Sequence, residues 1–297
     1  NDLNTARRAL GGCGSSNTNA LAFGGNVAPG TNLQSITESW NGTNWTETGD
    51  LNTARAFSMG GGTNTSALAF GGEIAPGKTG VTEEFNGTSW TETTDLSTGR
   101  DKAGQAGTQP SALCSGGHTT TTLALVEEWT GAGAAIGAWS TGGTMNTIRY
   151  HLGGVGLQTA ALAFGGYRDV PPDTFYANTE LYDGSSWTEV NDLNAGRLGI
   201  RGNGTTTSAL GYGGDTGPAQ VGNTESWNGT NWTEVNDLNQ ARVYAAGAGI
   251  SNTSALAFGG NNGGTQYAIT ESWNGTNWTE VNDLNTARRA LAGAGTQ

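Results

Sequence analysis

A tandem repeat with a period of about 47 residues runs through the whole chain. Its most regular stretch is small-Ala-Leu-x-x-Gly-Gly, first met as Asn19-Ala20-Leu21-Ala22-Phe23-Gly24-Gly25. The closing pair returns as Gly71-Gly72, Gly116-Gly117, Gly165-Gly166, Gly213-Gly214 and Gly259-Gly260, at spacings of 45 to 49 residues. A unit of this size cannot bury its own apolar face, so copies must stack on one another. Six copies in 297 residues leave no room for an unrelated second domain, and residues 1–297 read as one body. Residues present in every copy are expected to serve the fold, and any specific function to reside in the departures.

Each unit reads as four short strands. In residues 52–98, the segment opening at Arg55 is a first strand and Ser66-Ala67-Leu68-Ala69-Phe70 a second. Thr82-Glu83-Glu84-Phe85 is a third and Trp90-Thr91-Glu92-Thr93 a fourth. Runs of four to seven residues rich in Thr, Trp and Phe, bounded by Asn-Gly or Gly-Gly, have the pattern of antiparallel strands. Asn-Gly at Asn41-Gly42, Asn86-Gly87, Asn228-Gly229 and Asn274-Gly275 offers the positive φ that a tight connection requires. Four-stranded units repeated radially form a β-propeller. The expected fold is therefore all-β: a six-bladed β-propeller of four-stranded antiparallel blades, or a seven-bladed or longer array if the chain continues. The 51 Gly fit this reading, because Gly-rich first strands such as Gly11-Gly12 and Gly153-Gly154 would lie nearest the axis.

The Gly-Gly after the second strand, an aromatic in the third and a Trp opening the fourth together resemble the kelch repeat. The aromatic pairs are Trp40 and Trp45, Phe85 and Trp90, Trp129 and Trp139, Tyr182 and Trp187, Trp227 and Trp232, Trp273 and Trp278. The Leu-x-x-x-Arg element, as in Leu3 to Arg7, Leu51 to Arg55 and Leu238 to Arg242, looks like the kelch turn between blades. Near-identical blades with Asn/Thr/Gly-rich turns are also similar to kelch-like repeat proteins of marine phage virions and aquatic bacterial surfaces.

The charges are mostly committed to the repeat. Seven of the 13 Lys and Arg close the Leu-x-x-x-Arg element, with Met145 standing for Leu once. Each copy also has a Glu before its third-strand aromatic: Glu38, Glu83 or Glu84, Glu127 or Glu128, Glu180, Glu225 and Glu271. Structural Arg–Glu pairs are the expected use, since catalytic carboxylates need unlike environments. With a net charge of −12 and no basic stripe in the sequence, nucleic acid is not an expected partner. No apolar stretch approaches the roughly 20 residues of a bilayer span, so no membrane insertion is expected. The chain starts at Asn1 with neither a Met nor a signal-like segment, as expected of a processed product or a piece of something longer. Cys13 and Cys114 replace small residues in separate copies and are expected as buried free thiols.

Little catalytic chemistry is visible. His118 and His151 are isolated, no metal-ligand cluster is spaced for binding, and no nucleophile elbow or phosphate loop is present. The expectation is a non-enzyme with no cofactor. For a propeller lyase or glycosidase, only Asp101, Lys102, His151 and Arg201 break the small-residue pattern of the first strands. The loops joining second to third strands vary most and share a face with the connections between blades. The loop Tyr167–Thr179 breaks the repeat with aromatics, prolines and an Arg. Loops on a rigid scaffold are where binding usually resides. The candidate binding residues are Tyr167, Arg168, Asp169, Phe175 and Tyr176 of that loop, with His118 and Tyr267 of its counterparts. A second irregularity, Thr130–Ala138, lengthens a turn on the opposite face.

The leading functional expectation is a structural or recognition propeller of a virion appendage or extracellular surface. Its partners would be other copies of itself, neighbouring virion or surface proteins, or a cell-surface glycan or receptor. The alternative is a cytoplasmic kelch adaptor binding a partner protein. Asn282–Leu291 repeats Asn1–Leu10 residue for residue; each copy is expected to supply a first strand, so residues 282–297 form a duplicated first-strand segment, one more than six blades need.

Overall fold

The computed structural model describes residues 3–16, 18–27, 32–131, 137–291, 293 and 295. Six four-stranded antiparallel sheets follow one another along the chain, each ordered inner, second, third, outer strand. Blade 1 is Gly11–Ser16, Asn19–Phe23, Thr37–Trp40 and Trp45–Glu47. Blade 4 is Gly153–Leu157, Ala160–Phe164, Thr179–Tyr182 and Trp187–Val190. The inner strands of blades 1 to 6 neighbour one another in order around the axis. This is a six-bladed β-propeller. Among the described residues there is no helix.

The repeated residues account for this geometry. Gly60, in the inner strand of blade 2, faces Phe23 of blade 1; a Cβ there would stand 2.5 Å from the ring. At Gly72 (φ +115°) a Cβ would stand 2.7 Å from the Ala56 carbonyl, so the chain turns at the Gly-Gly pair only without side chains. The Asn-Gly turns are four-residue loops: Trp40 pairs with Trp45, and the Asn41 carboxamide oxygen accepts from the amides of Thr43 and Asn44 at 2.9 Å.

Packing between blades is aromatic. The second-strand aromatic of one blade meets the outer Trp of the next: Phe23 with Trp90, Phe70 with Trp139, Phe164 with Trp232 and Tyr212 with Trp278 have centroids 4.8–5.1 Å apart. Four of these indoles also reach back to a Thr hydroxyl at 2.9–3.0 Å. Burial of such rings contributes on the order of 2–3 kcal/mol each.

The Arg and Glu of every blade form one buried ion pair: Arg7–Glu38, Arg55–Glu83, Arg100–Glu127, Arg149–Glu180, Arg197–Glu225 and Arg242–Glu271, at 2.5–3.0 Å. The first Glu of each double is the partner; Glu84 and Glu128 instead accept from Gln109 and Gln158. Cys13 and Cys114 are buried free thiols, and burial pushes the Cys13 thiol up to about 12.

One expectation needs correction. The duplicated segment is not an inner strand: strand structure starts at Gly11, after a linker in which Ala9 turns left-handed at φ 54°. Residues 282–291 of its second copy form no strand and lie against blade 6. Beyond them Gly295 accepts from the Gly249 amide of the blade 6 inner strand at 3.0 Å and lies beside Ser16 of blade 1, while residues 292, 294, 296 and 297 of the expected segment lie outside the described residues. The longest second-to-third loop contains a small hairpin, in which Tyr167–Arg168 and Thr174–Phe175 pair. Of the irregular turn Thr130–Ala138, residues 132–136 lie outside the described residues.

Candidate functional site

Each linker runs from its Arg into one mouth of the axial channel by the same local path. The residue after the Arg makes an antiparallel bridge to the neighbouring second-to-third loop, as Ala56 does to Glu73 and Tyr150 to Tyr167. The next residue is left-handed in every copy: Ala9, Phe57, Lys102, His151, Gly199, Tyr244 and Ala290 have φ between 52° and 63°. All seven line one cavity of about 690 Å³. An L-residue in this region costs roughly 1–2 kcal/mol, yet only one of the seven is Gly. Identical backbone thus carries unlike side chains around one opening.

The cavity is cationic. Besides the seven ion-paired or linker Arg, the chain has six Lys and Arg, and four of them (Arg8, Lys102, Arg201 and Arg289) line this mouth. The sequence has no basic stripe because these residues come from four different linkers or inner strands, brought together only by closure around the axis. Lys102 lies 5.5 Å over the Phe57 ring. Arg201 opens the inner strand of blade 5 and donates Nε–H to the Ala245 carbonyl at 3.0 Å. Burial depresses its pKa, against a raising influence of Tyr212. His151 is held down to about 3, first by burial and then by Lys102 and His118, so it is neutral at ordinary pH.

Asp101 does not join them. Its side chain is fully buried and accepts from Lys78 Nζ at 2.7 Å, while Glu73 takes the same ammonium at 3.0 Å. Burial opposes the Lys78 charge, but its hydrogen bonds to Asp101 and Glu73 raise its pKa overall. Among the described residues, Glu73 is the one carboxylate that reaches the cavity lining.

An aromatic ridge leads outward from this mouth. Tyr244 stacks on His151 at 5.1 Å, His151 on Tyr150 at 4.9 Å, and Tyr150 on both His118 and Tyr167 at 5.4–5.5 Å. Tyr167 continues to Phe175 at 4.9 Å. Burial, then the Asp169 carboxylate, raises the Tyr150 phenol above its ordinary range. Asp169 also accepts from the Thr122 hydroxyl at 3.3 Å, tying the loops of blades 3 and 4 together.

The structure therefore gathers His118, Tyr167, Asp169 and Phe175 into one surface. Arg168 pairs with Thr174 inside the hairpin. Tyr176 lies just past it, its backbone bonded to Gly166 and Arg197. Tyr267 stands apart on blade 6, where its hydroxyl accepts from Gln240 at 3.2 Å. Phe57, Tyr150 and Tyr244 went unnoticed in the sequence. The signal was there in part: the two residues after each linker Arg change from copy to copy while the Leu-x-x-x-Arg element before them recurs. Among the described residues no group of three or more His, Cys, Asp or Glu could hold a metal.

No protein-family model matches the chain, and no curated protein matches it. Among solved structures the fold is similar to that titled "Structure of YjhT", at 12% identity and a TM-score of 0.70, covering 95% of this chain and 99% of the other. At that identity the likeness establishes the propeller fold alone.

Proposed function

We propose that this propeller is a non-enzymatic recognition module of a virion appendage or other extracellular surface, and that its partner docks over the cationic channel mouth. The observation that carries the reading is the contrast between scaffold and mouth. Ion pairs, glycine pairs and Trp contacts recur from blade to blade, whereas the left-handed linker position changes from Ala to Phe, Lys, His, Gly and Tyr. Strain retained where side-chain identity varies is the pattern of a functional surface.

Four cations against one paired carboxylate select an anionic group, and the ridge from Tyr244 to Phe175 offers ring faces to an extended ligand. An acidic cell-surface glycan or receptor segment has both properties. With Glu73 engaged by Lys78, the described residues of the mouth include no pair of unlike carboxylates, which favours binding over acid–base catalysis. The kelch-type reading rests on the six phased aromatic pairs and linkers, and the virion or surface setting on the near-identity of the blades.

Biolayer interferometry against immobilised hyaluronan and dextran tests the binding claim. Hyaluronan should be retained at low salt, released at high salt, and lost with Lys102→Ala/Arg201→Ala, while dextran is ignored. Equal retention of both polymers, or of the double variant, would contradict it.

A further inference from the structure

The junction between blades 6 and 1 differs from the other five. Elsewhere one linker serves two blades, as the segment around Asp50–Phe57 illustrates. Toward blade 1, the Asp50 carboxylate accepts from the Thr37 amide, Leu51 and Arg55 amides donate to the Ser35 and Gln34 carbonyls, and the Arg55 carbonyl accepts from Gly25. Toward blade 2, the Asn52 amide donates to Glu83 at 2.6 Å, Arg55 pairs with Glu83 at 2.9 Å, and Ala56 bridges to Glu73.

At the junction these two halves are divided between the two copies of one sequence. The second copy makes the half toward blade 6. Asp283 accepts from the Thr270 amide, Leu284 and Arg288 donate to Ala268 and Tyr267, and the Arg288 carbonyl accepts from Gly260. The first copy makes the half toward blade 1: the Asn4 amide donates to Glu38 at 2.7 Å, Arg7 pairs with Glu38 at 3.0 Å, and Arg8 bridges to Asn26.

Two linkers thus occupy a place where one suffices, and the blades they join stand apart, with Gly293 beside Gly247 of blade 6 and Gly295 between Gly249 of blade 6 and Ser16 of blade 1. Thr270 is 8% exposed, yet its hydroxyl has no hydrogen-bond partner. Its counterparts Thr37, Thr82, Thr179 and Thr224 each accept from the outer Trp of the next blade, a place that Trp45 would fill here. Phe258 is half-buried, whereas its counterparts Phe23, Phe70 and Phe164 are 0–1% exposed. A cavity of about 440 Å³, lined in part by Leu3, Trp45, Phe258, Leu284 and Leu291, occupies the gap.

We propose that blade 1 is a docking site for Asn282–Leu291 as well as for Asn1–Leu10, and that exchange of the second copy for the first closes the ring. Identical residues meet the same groove, so each bond lost from Asn1–Leu10 has an equivalent in the second copy: Asn285 and Arg288 exchange the contacts they now make for Glu38, and Arg289 takes Asn26. Closure adds what the open junction lacks, a Trp45 indole on the Thr270 hydroxyl and a Phe258–Trp45 contact in place of the apolar gap. The incoming segment is already held beside blade 1 by its bonds to blade 6, so its effective concentration exceeds that of any other molecule's copy. The inference does not depend on what the channel mouth binds.

Urea unfolding of single and double variants tests it. If Arg288 can replace Arg7, Arg7→Ala should lower the folding equilibrium constant by no more than about tenfold, against roughly a hundredfold or more for Arg197→Ala, whose position has no duplicate. Arg7→Ala/Arg288→Ala should lose more than the product of the two single effects. A multiplicative pair, or an Arg7→Ala variant as costly as Arg197→Ala, would overturn the proposal. Amide exchange on the unaltered chain gives a second readout that needs no variant to fold. The Arg8 amide, bonded to Asn26, should exchange at least about tenfold faster than the Ala56 amide, bonded to Glu73. Equal protection, or an Arg8 rate that rises with protein concentration, would count against intramolecular exchange.

Discussion

Replacing Glu225 with Ala strikes the element that every blade shares. The Glu225 side chain is 2% exposed and takes Arg197 Nη1 at 2.7 Å on one oxygen. Its other oxygen accepts the Asn194 amide and carboxamide, both at 2.8 Å. Truncation would strand the Arg197 guanidinium, whose side chain is fully buried, with only the Gly213 and Ala195 carbonyls at 3.0–3.1 Å. Breaking a buried pair from one side costs about 3–5 kcal/mol, and an orphaned buried amide about 1–3 kcal/mol more. These overlap, so about 4–6 kcal/mol is expected, or roughly 6–10 °C in Tm for a chain of this size. Glu225→Gln keeps an acceptor for Asn194 but not the charge, and should lose about half as much. Arg197→Leu/Glu225→Leu should recover much of the loss, since no unpaired charge remains. Urea and thermal unfolding followed by Trp fluorescence read all three. A loss below about 1 kcal/mol for Glu225→Ala, the range of a solvated surface pair, would refute the view that these pairs hold the blades.

Two further outcomes follow from particular residues. The Trp187 indole N–H is buried without a partner because Val126 stands where Thr82 or Thr179 offers a hydroxyl in other blades. Val126→Thr should therefore raise stability by about 0.5–1.5 kcal/mol in chemical denaturation, and an unchanged or lowered midpoint would speak against the assignment. His151, held down to about 3 from an unfolded value of 6.5, binds its proton only in the unfolded chain across that window. Its contribution is intact above about pH 6.5 and is lost as pH falls toward 3, amounting to about 1–2 kcal/mol by pH 5. Asn tolerates the left-handed backbone of this position. His151→Asn should flatten the acid side of a stability–pH profile, and an unaltered slope would contradict the shift.

Much of the fold was legible in the sequence because it rests on periodic, local signals. Gly-Gly, the Trp pair and Leu-x-x-x-Arg each mark one place in a blade, and their phase alone implies radial stacking. The Arg–Glu pairing followed from recurrence, although which Glu of Glu83-Glu84 turns inward is decided by strand register against Ala69. The candidate site was only half legible. Tyr167, Phe175 and His118 stood out as breaks in the repeat, but Phe57, Tyr244 and Tyr150 lie in linkers that otherwise look ordinary. Arg8, Lys102, Arg201 and Arg289 come from different linkers and inner strands and line one mouth only because the ring brings those segments to one axis. The open junction was equally hidden. Two identical decapeptides look interchangeable on paper, and only their hydrogen bonds distinguish the copy on blade 6 from the copy on blade 1.

The central claim is that the repeat builds the ring and the departures at the channel mouth do the recognising. It is tested most directly by measuring hyaluronan affinity and Tm together for Lys102→Ala/Arg201→Ala and for Val126→Thr. The account predicts that the mouth variant loses at least about tenfold in affinity, some 1.4 kcal/mol, with Tm held within a few degrees, while the scaffold variant gains Tm and binds as before. Binding that survives the mouth variant, or that tracks Tm across both, would contradict it.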